Sequence, residues 1–174
     1  MQRKRVLLGL ALMVSLAVGA AAPLMAGRGN PVPFKGSISG ILQRHPLNDP
    51  ATNWSVEVSA TGNVSQMGRV KADIAFDNIG LDTSGTSLVA VVPVGTGSFT
   101  APNGDKVTGE YRWLASPTAT PEVLSFVGTF TLTGGTGRYA GATGSGIFHG
   151  SGNIVTSEVS ATFDGFISAR SGGR

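Results

Sequence analysis

The sequence predicts an all-β domain: a single antiparallel β-barrel of about eight strands, with a two-sheet sandwich as the alternative. Three observations carry that prediction. From Phe34 onward, segments rich in Val, Ile, Thr and aromatic residues recur at fairly regular intervals between clusters of Gly, Asn, Pro and Asp. Within those segments apolar and polar residues alternate with period two, and none carries a helical period. Asn103-Gly104 stands between two of them and supplies the positive φ values that a tight hairpin requires.

The expected strands are, in order, 34–43, 54–61, 67–78, 86–100, 106–115, 123–133, 144–152 and 155–169. The third places Val70, Ala72, Ile74 and Phe76 on one face, opposite Arg69, Lys71, Asp73 and Asp77. The fourth and fifth are joined by Pro102-Asn103-Gly104-Asp105, the strongest hairpin signal in the chain. In the fifth, Val107, Gly109, Tyr111 and Trp113 form an apolar and aromatic row, with Glu110 and Arg112 behind it. The sixth alternates most cleanly, with Leu124, Phe126, Gly128, Phe130 and Leu132 sharing one face. The eighth groups Val159, Ala161, Phe163, Gly165 and Ile167, with Phe166 as the exception. Glycines inside strands suit a bent, closed sheet, although periodicity alone does not separate barrel from sandwich.

The run from Gly134 to Gly146 has the look of a dinucleotide-binding turn, in which glycines let backbone approach a pyrophosphate at a helix N-terminus. That chemistry needs a helix next. Gly144, Gly146 and Gly150 follow instead, each costing about 1 kcal/mol in a helix interior. The run therefore reads as a glycine-rich turn and bulge between two strands.

Residues 1–26 open with Arg3, Lys4 and Arg5, continue as an uncharged apolar stretch and end in small residues, the pattern of a secretory signal peptide. A flexible segment over 27–33, a barrel domain over 34–170 and a tail over 171–174 are expected to follow. Of 13 basic and 10 acidic residues in the chain, the leader takes three basic ones, which leaves the rest in balance. Nucleic acid is thus not an expected partner, because such binding needs clustered Lys and Arg. The chain has no cysteine, which excludes disulfide scaffolds, thiolate zinc sites and cysteine nucleophiles. The membrane is expected to be met only through the export signal, and the final location is secreted or periplasmic.

Little in the chain points to catalysis. His45 and His149 are distant in sequence, with no acidic residue at ligand spacing beside either, so no metal site is expected. Gly36-Ser37-Ile38-Ser39-Gly40 places isoleucine where a serine hydrolase elbow needs its nucleophile. No catalytic residue and no cofactor are assigned. Four residues are candidates for lining a lumen. Tyr111 and Trp113 each join a broad apolar body to one polar handle, set against plain core packing. His149 points either inward or to water. Arg69, if it faces inward, needs a partner such as Asp73 or Glu110.

Four pieces of the chain, Pro33-Phe34-Lys35-Gly36-Ser37, Gln66-Met67-Gly68-Arg69, the run from Phe99 to Asp105 and the run from Gly134 to Gly146, together resemble a group of exported bacterial proteins. Where relatives in that group carry Thr-His-Leu-Gly-Arg, this chain has Ser65-Gln66-Met67-Gly68-Arg69, so an imidazole there is lost. The glycine-rich piece also resembles the allene oxide cyclase and dirigent proteins, which implies a calycin-like eight-stranded barrel and decides for barrel over sandwich. No active-site residue of those families aligns to a position here. The function expected is that of an exported, non-catalytic barrel that binds a small apolar ligand or serves as an envelope or extracellular interaction module. The alternative is a cofactor-independent isomerase or cyclase of the allene oxide cyclase type acting on a lipid-like substrate.

Overall fold

The computed structural model describes residues 29–47, 54–81 and 90–169. The expected signal peptide at 1–26 and the tail at 171–174 lie outside the described residues. Eight antiparallel strands form one closed barrel, each paired with its neighbours in chain order: β1 (Val32–Pro46), β2 (Trp54–Val64), β3 (Gly68–Leu81), β4 (Ala90–Thr100), β5 (Lys106–Pro117), β6 (Val123–Gly135), β7 (Thr143–Asn153) and β8 (Glu158–Ser168). The barrel closes where β1 pairs with β8, with Val32 opposite Ile167 and Ile41 opposite Glu158. Closure leaves no unpaired edge, and it excludes the sandwich.

All eight expected strands are present, with shifted ends. β1 begins at Val32, inside the segment expected to be flexible, because Val32 and Pro33 register against Ile167 and Phe166. It also runs on past Gln43 to Pro46. β8 begins at Glu158 and not at Val155. The Asn153 side-chain oxygen accepts the backbone N–H groups of Val155 at 2.8 Å and Thr156 at 2.9 Å, and Ser157 takes a positive φ of 63°. That local turn competes successfully with the ladder. Part of the expected start of β4, over 86–89, lies outside the described residues.

The inward rows are apolar through the body of the barrel, including Phe34 and Ile38 on β1, Val56 and Val58 on β2, and Phe126 and Phe130 on β6. Large rings fit because small residues face them. Gly146 of β7 is in register with Gly165 of β8, and a Cβ on either would meet the Phe130 ring at 2.6 or 2.8 Å. Outward rows are mostly hydroxyl, amide or charged, as with Ser37, Ser39, Thr61 and Thr162. This polarity is the reverse of a transmembrane barrel, whose outer wall is apolar. No helix among the described residues is long and apolar enough to cross a membrane.

Candidate functional site

The barrel has two unlike ends. At one, where β1 starts and β8 finishes, Phe34 packs against Phe99 and Phe130 at 5.8 Å each, and Phe99 packs edge-on against Phe163 at 5.3 Å. Phe34, Phe99 and Phe130 are buried completely or nearly so. The glycine-rich loop closes this end. Gly137–Tyr139 form a single 3-10 turn, Gly137 and Gly141 take φ values of 58° and 69°, and Tyr139 folds beneath the loop to donate its hydroxyl hydrogen bond to the Gln66 carbonyl. Met67 and Ala142 are buried beside it.

The amides of this loop are occupied by the loop itself. Thr136 N–H donates to the Lys106 carbonyl, Tyr139 to Thr136, Ala140 to Gly137 and Ala142 to Tyr139. These groups are thus turned into the fold and do not converge on an anion as in a phosphate cradle. Arg138 Nε donates to Asp105 Oδ2 at 2.9 Å, tying the loop to the β4–β5 hairpin, and Asn103 donates to the same oxygen at 2.8 Å. The Arg138 hydrogen bond, followed by that of Asn103, holds the Asp105 carboxyl below its ordinary value.

At the other end the filling is incomplete. A cavity of about 40 Å³ lies among Ile74, Phe76, Tyr111, Trp113, Phe126 and Phe148. Its aromatic walls meet edge to face, Phe76 with Trp113 at 4.6 Å and Trp113 with Phe126 at 4.8 Å. Tyr111 is buried, 5% exposed, and its hydroxyl has no hydrogen-bond partner. Only Thr143 Oγ1, at the plugged end, shares that condition among the described residues. Burial also pushes the Tyr111 hydroxyl pKa well above the usual tyrosine range. Toward the mouth, Trp113, Phe76 and Trp54 are half-buried.

Of the four candidate residues, Tyr111 and Trp113 face the lumen and meet around the cavity. Arg69 and His149 do not join them. Both are exposed on the outer wall, Arg69 in register with Asn63 and His149 between Val127 and Thr162. The reason is parity: the adjacent residues, Val70 and Phe148, are buried, and each strand continues without a bulge there. Among the described residues no cluster of His, Asp or Glu is arranged to hold a metal.

One residue at the mouth escaped the sequence reading. Arg44 continues the inward row of β1 after Phe34, Ile38 and Leu42, and its guanidinium lies over the Trp54 ring at 5.7 Å while Nη2 donates to the Ile154 carbonyl at 2.5 Å. The signal was available in the parity of β1. It was lost because the strand was expected to stop at Gln43.

No family model and no curated protein matches the chain. Among solved structures it is similar to that of the pterocarpan synthase dirigent protein GePTS1, at 14% identity and a TM-score of 0.50, over 83% of this chain and 88% of that one. The likeness is one of fold: the two chains share a barrel.

Proposed function

We propose that this chain is an exported, non-catalytic barrel whose lumen holds a small apolar molecule near its open end. The carrying observation is the cavity itself, apolar throughout and walled by aromatic rings that include the buried Tyr111, whose hydroxyl has no partner. An unsatisfied buried hydroxyl costs about 1–3 kcal/mol, so this half of the lumen is not filled to best advantage. One end of the lumen is an aromatic plug, and the other supplies a pocket of aromatic and aliphatic walls, a lining suited to an apolar occupant.

The cavity limits the occupant. At about 40 Å³ it has room for a few heavy atoms, whereas a cavity of roughly 150 Å³ admits benzene. A larger body enters if the half-buried Trp113 and Phe76 swing aside. A cyclase would need several convergent polar groups around its substrate. The cavity lining offers no such convergence, which favours holding over turnover. Export is supported by the basic and apolar pattern of residues 1–26, and the polar outer wall suits an aqueous compartment.

The test is native mass spectrometry of the protein purified without detergent from its own source, before and after organic extraction. A reproducible added mass that extraction removes supports the reading. A bare mass in every preparation overturns it and leaves a filled structural module. Amino-terminal sequencing of the same material should begin near Gly27 if the leader is cleaved as proposed.

A further inference from the structure

We infer that Arg44 reads a carboxylate at the mouth of the lumen, so that the molecule held there is a small apolar monocarboxylate; this rests on the lumen-binding reading above. The first ground is position. Arg44 is in register with Val56, which is 3% exposed, and it shares a face with Trp54, which packs against the core. Its side chain therefore starts from the inward face at the rim of the barrel, where the guanidinium reaches the Ile154 carbonyl. Of the inward-row residues named above it is the one that carries a charge.

The second ground is unused hydrogen-bonding capacity. A guanidinium presents five N–H donors in a planar fork that matches a carboxylate bidentately. Arg44 gives one to the Ile154 carbonyl and lays its plane over an indole. Among the described residues it enters no ion pair, unlike Lys35 with Asp164 at 3.1 Å or Arg138 with Asp105 at 2.9 Å. The guanidinium lies over one indole face and is exposed, so its remaining donors are open to a carboxylate arriving from solvent. The third ground is continuity with the apolar cavity, whose lining includes Val58, the register partner of Leu42, two residues before Arg44. The apolar body would enter past Leu42 and Val58, which register against each other below Arg44.

The experiment titrates hexanoate and hexan-1-ol into the purified protein, read by the fluorescence of Trp54 and Trp113, the two tryptophans of the chain. The two probes share a length and differ in charge. Hexanoate should bind about tenfold more tightly than hexanol at neutral pH and low salt. Arg44→Gln should abolish that preference by weakening hexanoate about tenfold and leaving hexanol unchanged, while Arg44→Lys should keep part of it. Equal binding of the two probes, or an undiminished preference in Arg44→Gln, would overturn the role of Arg44 and leave the lumen site standing. Binding of neither probe would overturn the lumen site itself. Because Arg44 is exposed, both variants should fold, and the lysine variant separates lost charge from the lost Ile154 contact.

Discussion

Tyr111 concentrates the tension between packing and polarity in this protein. Its ring belongs to the aromatic wall, 5.9 Å from Phe148 and edge-on to it, yet its hydroxyl meets no partner. Tyr111→Phe should therefore raise the stability of the empty protein by about 1 kcal/mol, measured by urea unfolding, and should weaken binding of any ligand that places an oxygen there. The pH dependence has a definite sign. The folded hydroxyl keeps its proton above the ordinary tyrosine value while the unfolded one loses it, so this contribution is intact below about pH 10 and is lost as pH rises further. In Tyr111→Phe the alkaline decline should be shallower. Tyr139 is also raised, mainly by burial with Arg138 opposing, so part of the decline should persist. Arg69→Gln and His149→Gln should each change stability by less than about 0.5 kcal/mol, since both are exposed on the outer wall. Placing the aromatic pair in the lumen needed only the alternation of β5. The outward place of Arg69 was legible in the same way, opposite the apolar row of Val70, Ala72, Ile74 and Phe76, whereas His149 stands among glycines that leave the inward face of β7 undetermined.

The glycine-rich loop is an element whose composition suggests one chemistry and whose geometry performs another. Its short 3-10 turn lowers Tyr139 into the barrel end, and its position depends on Gly137, where φ is positive and a Cβ would strike the Asp105 carboxylate. Gly137→Ala should cost about 2 kcal/mol in thermal or urea unfolding, because left-handed backbone disfavours a side chain and the Arg138–Asp105 link must give way. If the loop were instead a phosphate cradle, the same variant would abolish nucleotide binding and leave stability unchanged. The absence of a helix after the glycines was legible in the letters, because Gly144, Gly146 and Gly150 forbid one. The plug was not, since Gln66 and Asp105, its anchors, lie far away in the chain.

For the molecule as a whole, the unequal ends predict unequal responses. Phe130 is 1% exposed and surrounded by rings, so Phe130→Ala should cost about 3–5 kcal/mol and slow refolding measurably less than it destabilises if that end forms late. Trp113→Ala, at the half-filled end, should cost less and should enlarge the set of apolar probes that bind, read by calorimetry. Amide exchange should follow the same division, slowest in the strand segments around Phe34, Phe99 and Phe130.

Strand number, strand order along the chain and the identity of the inward rows were all present in the residues, because a period of two is a local property that each segment carries alone. Closure of β1 onto β8, the plugging of one end, the outward placement of His149, the lonely hydroxyl of Tyr111 and the position of Arg44 at the rim were settled only by folding. Each of those depends on the register between strands that are remote in sequence, and register is set by how a whole ring of side chains fills a common interior.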